Sequence, residues 1–102
     1  MRSTLKAVHI ISRKALLDAA QIHGSDLGAA LDVWYRIALK ASWESIVDVR
    51  KIFPSTDAVG VYTVFNTKGN SYRLITLIRY PKTLFIRDVL THAEYDKGRW
   101  NK

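Results

Sequence analysis

Residues 64–96 read VFNTKGNSYRLITLIRYPKTLFIRDVLTHAEYD, and the fold turns on how this stretch is parsed. Two runs rich in β-branched and aromatic residues flank Asn66-Thr67-Lys68-Gly69-Asn70. Gly69 and Asn70 are the residues there best able to take positive φ, so a tight hairpin is expected. The second run, Tyr72 to Tyr80, is apolar on both faces in its middle (Leu74, Ile75, Leu77, Ile78). It therefore reads as a central strand covered by helices on at least one face. Arg73 and Arg79 share a face with Ile75 and Leu77, one at each end of the strand. Pro81-Lys82 turns the chain into a further strand, Thr83 to Val89, with Arg87 in phase with Phe85. Thr91 can cap a last helical turn, and Glu94 three residues on completes a capping box. His92, Tyr95 and Asp96 then fall within one turn of each other.

Upstream, Val59, Val61, Thr63 and Phe65 alternate with Tyr62 and Val64, which predicts one strand from Ala58 into the hairpin. Ser55-Thr56-Asp57 is a polar connector. Before it a short helix is expected from Ser42 to Pro54, with Trp43, Ile46, Val49 and Phe53 inward. Leu27, Leu31, Trp34, Tyr35 and Ala38 recur at helical spacing and predict a longer helix, capped by Ser25 or Asp26 and ending near Ala41. Trp34 and Tyr35 could stack bases, but packing of this helix on the sheet is the better reading of them. Gly24 stops a first helix that Ser12 can cap, with Ala15, Leu16, Ala19, Ala20 and Ile22 on one face. Ala7-Val8-His9-Ile10-Ile11 is a short first strand, with His9 on its surface or packed. The order is β-α-α-α-β-β-β: a small α+β domain spanning residues 1–102, with helices on one face of an antiparallel sheet.

The length of 102 residues suits one domain and one core of modest stability. There is no cysteine, so disulfides and thiolate metal sites are ruled out, which suits a reducing compartment. No apolar run approaches the roughly 20 residues that span a bilayer, and the N-terminal apolar run is too short for a secretory signal. A cytoplasmic protein without a membrane partner is the expectation. Net charge is +7, and it is unevenly spread. Residues 1–49 carry six Lys/Arg against five Asp/Glu, whereas residues 50–102 carry ten against four. The charge belongs to the sheet half and points to a polyanionic partner, nucleic acid or an acidic protein segment. Charge alone fits a solubilising basic surface equally well.

RNA can be cleaved by its own 2′-hydroxyl attacking the adjacent phosphate, so neither a metal nor a protein nucleophile is obligatory. Such a reaction needs a proton acceptor at the 2′-oxygen, a donor at the leaving 5′-oxygen, and positive charge around the phosphorus. An imidazole suits the proton transfers. A tyrosine can donate, or act as a base if nearby cations lower its pKa. Arginine matches phosphate bidentately. Here those roles would fall to His92, Tyr95, Arg73 and Arg87. Lys68, Asn70, Arg79 and Lys97 would add phosphate contacts or positive field. Residues of these types also occur in many inert domains, and on their own they do not single out an enzyme. His9, His23 and His92 lack metal-ligand spacing, and no phosphate-binding Gly-rich loop, Gly-x-Ser-x-Gly elbow or Cys nucleophile is present. No metal site or cofactor is expected.

The stretches Val64-Phe65-Asn66, Asn70, Tyr72-Arg73-Leu74-Ile75 and Ile86 through Asp96 resemble the HigB family of bacterial toxins, within the RelE-like superfamily. Trp34, Trp43 and Ile52-Phe53-Pro54 also fall where that family's pattern would put them, so the resemblance covers nearly the whole chain. It implies a RelE-like compact domain: an N-terminal strand and helices packed on an antiparallel sheet, with a short C-terminal helix. It implies a ribosome-dependent endoribonuclease that cuts mRNA in the decoding site, and a partner, a HigA-like helix-turn-helix antitoxin. Carried over residue by residue, the superfamily's strand arginine falls on Arg73, and its C-terminal acid/base and aromatic residues fall on His92 and Tyr95. Arg87 and Lys68 come next as further candidates. The strand before the hairpin turn lacks the lysine pair that some relatives carry, which leaves open which group is the general base. Asp96 could orient His92 or simply solvate the turn. A non-catalytic RNA- or ribosome-binding module that inhibits by occupancy is the alternative function.

Overall fold

The computed structural model describes residues 9–69, 71–81 and 83–101. Ala7, Val8, Asn70 and Lys82, which figure in the sequence expectations, lie outside the described residues. The elements run β1 (His9–Ile11), α1 (Lys14–His23), α2 (Ser25–Lys40), α3 (Ile46–Ile52), β2 (Asp57–Val59), β3 (Tyr62–Thr67), β4 (Tyr72–Arg79), β5 (Thr83–Thr91) and α4 (His92–Asp96), then a 3-10 turn over Arg99–Asn101. The five strands form one sheet in the order β1-β5-β4-β3-β2. The class is α+β, and the sheet is antiparallel except where β1 lies parallel to β5 at one edge.

The doubly apolar run at 72–79 takes the middle position, between β3 and β5. Leu74 and Ile75, neighbours that point to opposite faces, are both fully buried. Leu74 joins Phe65, Leu84, Ile86 and Val89 in a core roofed by Leu16, Ala19, Leu27, Leu31, Trp34, Ala38 and Trp43. Ile75 pairs with Val64 across β3 and β4. Both are buried outside that core cluster, on the sheet face away from α1 and α2, where α4 packs on β4 and β5. Phe65 is the hub of the aromatic core. Its ring meets Trp34 edge-on at 5.3 Å and Phe53 edge-on at 5.3 Å, and it stacks on Trp43 at 6.2 Å. The packing role expected for Trp34 holds. Tyr35 is half-buried, with the Arg13 guanidinium over its ring at 4.3 Å.

Several local expectations give way to the actual geometry. Ser12 does not cap α1. It takes φ +71°, the left-handed turn that reverses the chain from β1, and Arg13 sits at the cap position without a side-chain bond. The buried stripe of α1 is Leu16 and Ala19, continuing to half-buried His23, so Ile22 faces solvent at 75% exposure. Gly24 stops α1 as expected and, at φ +104°, also starts α2, which leaves Ser25 and Asp26 inside that helix rather than capping it. The third helix starts at Ile46 rather than Ser42, because the Ser45 hydroxyl, not Ser42, accepts the Val47 N–H. The single strand expected from Ala58 is two strands. Gly60 (φ +59°) and Val61 turn Asp57–Val59 back on Tyr62–Val64 as a short hairpin. At the β3–β4 turn, among the described residues, Lys68 (φ +48°) and Gly69 (φ +63°) are left-handed.

Phe65→Ala should cost about 3–5 kcal/mol, because the three surrounding rings cannot close the space. That is a large part of the roughly 5–15 kcal/mol typical of small domains. Urea denaturation measures it, and a loss under about 1 kcal/mol would show that Phe65 is not the hub.

Candidate active site

The face of the sheet away from α1 and α2 carries the chemistry-bearing side chains. On β4 the alternation that sends Tyr72, Leu74 and Ile78 to the core sends Arg73, Ile75, Leu77 and Arg79 to the other side. On β3 the same parity puts Tyr62, Val64 and Asn66 there, with Asn66 opposite Arg73 in the ladder. On β5 the alternation is broken by a bulge. Ile75 pairs with Asp88 and Thr76 with Ile86, so Arg87 is the extra residue. A bulge bends the strand and re-aims the side chain it carries. Here Arg87 lies over the Tyr62 ring at 4.8 Å and donates from Nη1 to the Tyr62 hydroxyl.

The helix α4 places the remaining groups. Thr91 Oγ1 accepts the Glu94 N–H at 3.1 Å, and Glu94 Oε1 accepts the Thr91 N–H at 2.9 Å, the reciprocal pair foreseen in the sequence. The bond to the Thr91 N–H, helped by His23 and Lys97, holds the Glu94 carboxyl below its ordinary range. The His92 N–H donates to Ser71 O at 3.0 Å, tying the helix start to the β3–β4 turn. One helical turn on, Asp96 Oδ2 lies 2.8 Å from His92 Nδ1. That contact engages Nδ1 and leaves Nε2 as the nitrogen turned away from Asp96. This contact is the one that the orienting role for Asp96 requires.

Tyr95 is half-buried under Arg73, whose guanidinium lies 5.4 Å from the ring centre. On Tyr95 stacks Trp100, at 5.1 Å and 18°, with its indole Nε1–H donated to the Tyr95 carbonyl at 3.0 Å. Trp100 in turn meets Tyr62 edge-on at 5.8 Å. The result is a continuous layer, Arg73–Tyr95–Trp100–Tyr62–Arg87, drawn from β3, β4, β5, α4 and the terminal turn. Burial raises the Tyr95 pKa above its usual value, Asp57 and Asp96 add to this, and the opposing pull of Arg73 is weaker than burial. With its pKa raised rather than lowered, the Tyr95 hydroxyl keeps its proton at neutral pH.

Arg73, Arg87 and Tyr95 are thus brought into one layer, and His92, paired with Asp96, stands on the same helix as Tyr95. Lys68 lies at the same end of β4 as Arg73, on the turn, with its Nζ 4.0 Å from Asp26. Lys97 comes directly after α4 and borders a cleft with Trp100. Arg79 shares the face but sits six residues along β4 from Arg73, roughly 20 Å away, over the Phe85 ring at 5.6 Å. It does not join the cluster. Asn70 lies outside the described residues. Sequence reasoning missed Tyr62 and Trp100. The parity of Tyr62 with Val64 and Asn66 was a usable signal, whereas nothing local to Trp100 marks it.

The family model described as HigB toxin, RelE-like toxic component of a toxin–antitoxin system, matches residues 28–98. The chain is similar to the mRNA interferase toxin HigB of Escherichia coli K12 and to the mRNA interferase HigB of Shigella flexneri. Each is 31% identical over 93 residues, covering 87% of this chain and 88% of the relative. The mRNA interferase HigB of Escherichia coli O6:H1 is 30% identical over 94 residues, 88% and 90% of the two chains.

Two measurements check the electrostatics. A depressed carboxyl stabilises the fold above its unfolded pKa and loses that contribution as pH falls through the folded value. The stability advantage of the wild type over Glu94→Ala should therefore persist at neutral pH and shrink below about pH 4.3. For Tyr95 the sign is reversed: its contribution is complete below pH 10 and fades as pH rises through the higher folded value. In a difference absorbance titration against Tyr95→Phe, its phenolate should appear above pH 10. An earlier transition would remove the donor assignment.

Proposed function

Because the chain belongs to the HigB toxin family, the RelE-like toxic components of toxin–antitoxin systems, we propose that it is an endoribonuclease that cuts mRNA, with residues 1–102 acting as one toxin domain. The observation that supports this reading is the layer that joins Tyr95 to Arg73 and, through Trp100 and Tyr62, to Arg87, with the His92–Asp96 pair on the same helix as Tyr95. The relatives' names carry the substrate: each is an mRNA interferase.

The reaction proposed is attack of the 2′-hydroxyl on the adjacent phosphate, which breaks the bond to the 5′-oxygen. His92 Nε2 takes the 2′-hydroxyl proton, while the resulting imidazolium is steadied by Asp96 at Nδ1. Tyr95, which keeps its proton, donates to the leaving 5′-oxygen. Arg73 and Arg87 face the non-bridging oxygens, where charge builds in the transition state. Guanidinium suits this task because its planar donors match two phosphate oxygens at once. Lys68 and Lys97 add positive field at the edges, and Arg79, well removed, contacts a flanking phosphate. The chemistry uses neither a metal nor a cofactor.

The same reading puts the mRNA in the decoding site of the ribosome, in the cytoplasm, and pairs the toxin with a HigA-like helix-turn-helix antitoxin that neutralises it. Among the described residues no helix is long and apolar enough to cross a membrane.

Induction of the wild type and of His92→Ala in a bacterial host, with mRNA 5′ ends mapped with and without translation, tests the mechanism. In-frame, translation-dependent cuts are expected, falling by roughly 10²–10⁴ in His92→Ala, with a comparable loss in Arg73→Ala and unchanged melting curves. Growth arrest without new 5′ ends would establish inhibition by occupancy instead. Cuts that persist in His92→Ala would remove His92 from the reaction.

A further inference from the structure

The terminal turn does more than cover Tyr95. Beside the arginine–aromatic layer lies a cleft of about 270 Å³, lined by Leu90, Glu94, Lys97, Arg99 and Trp100. Leu90 is the ladder partner of Arg73, so the cleft opens directly beside the strand arginine. Trp100 is common to both places, since it stacks on Tyr95 and also borders the cleft. The cleft falls just short of the roughly 300–1,000 Å³ of drug-sized pockets, a size suited to one flat ring system. Its composition is that of single-stranded nucleic-acid sites: an aromatic wall for a base, and cations beside it for the backbone.

We infer that this cleft is a nucleobase subsite, holding the base of a nucleotide next to the scissile phosphate against Trp100 and Leu90, with Lys97 and Arg99 on the adjoining phosphates. This rests on the nuclease reading and extends it to Arg99 and Trp100, which lie beyond the family match ending at residue 98. Glu94 discriminates between ligands. Its carboxylate accepts the Thr91 N–H through Oε1, and it would repel an acidic peptide drawn to the same cations. The ring N–H and amino groups of a base, in contrast, can donate to that carboxylate. An acidic segment would also leave the apolar wall unused. Trp100 thereby links recognition to chemistry: a base seated in the cleft presses on the ring that holds Tyr95.

The probe is a short single-stranded 2′-O-methyl RNA, which cannot be cut by its own 2′-oxygen, and an abasic strand of the same length. Trp34 and Trp43 are 3% and 2% exposed, so quenching of tryptophan emission by the probe reports Trp100. Binding of the base-bearing strand to the full chain should quench this emission. By fluorescence anisotropy, the abasic strand and the Trp100→Ala variant should each bind about fivefold more weakly or worse, with most affinity kept in Trp100→Phe. Lys97→Ala and Arg99→Ala should each lower the salt dependence by about 0.7 in slope, one phosphate contact apiece. Circular dichroism melts confirm that the variants fold. Equal binding of the abasic strand, unchanged binding by Trp100→Ala, or no quenching would each overturn the subsite. The two proposals fail separately. If only the nuclease reading is wrong, the probe seats at Trp100 while mRNA stays intact; if only the subsite is wrong, mRNA is cut while Trp100 emission does not move.

Discussion

A strand that is apolar on both faces must be covered on both faces, and β4 imposes that constraint on the whole chain. Leu74 and Ile75 are adjacent, opposed and fully buried. The helices α1 and α2 can roof only one side. The other side, around Ile75 and its partner Val64, is sheltered by the C-terminal segment after β5, a five-residue helix and a 3-10 turn. Burial at about 25 cal/mol per Å² of apolar surface makes an uncovered Val64–Ile75 pair costly, so that segment is part of the fold and not an appendage.

That structural duty brings the chemistry with it. The segment that covers Ile75 carries His92, Tyr95 and Trp100, and the strand it covers carries Arg73 two residues from Ile75. The capping box at Thr91 and Glu94 sets where α4 begins, and the His92–Asp96 contact results from the helical spacing of four. The bulge at Arg87 contributes separately. It lets the core keep Leu84, Ile86 and Val89 on one side while Arg87 turns to Tyr62. Strict alternation through residue 89 would have sent Val89 to the open face.

Much of this was legible in the sequence because it depended on local rules. The central strand, the hairpin near Gly69 and the capping box come from period-2 parity, turn chemistry and one capping pattern. The resemblance to a known family then gave the residues their roles. The features that stayed hidden depended on tertiary context. Alternation from Val59 to Phe65 runs straight through Gly60 and Val61, and only pairing shows that the chain doubles back there. Ser12, Ser25 and Ser42 are all good cap residues, but backbone geometry set by neighbouring elements gave the caps to Arg13, Gly24 and Ser45. Arg79 was grouped with Arg73 by parity, which says nothing about distance along a strand. Trp100 stands five residues after Tyr95 in a basic tail, where no periodicity links it to Tyr62, so its stacking arises only when the tail folds across the sheet.

The layering of arginine and aromatic rings accounts for the arginines at the centre of this face. Arg73 and Arg87 lie over the Tyr95 and Tyr62 rings, their guanidinium carbons 5.4 and 4.8 Å from the ring centres. Arg87 is held twice, over the Tyr62 ring and by the hydrogen bond from Nη1 to the Tyr62 hydroxyl. The stack limits the rotamers of a long side chain before a substrate arrives, which lowers the ordering cost at the moment of binding. A lysine ammonium has no flat face and is more strongly hydrated, so the same position would hold it less firmly. An arginine held over a ring is preorganised in a way that Lys68 and Lys97, on a turn and beyond a helix end, are not.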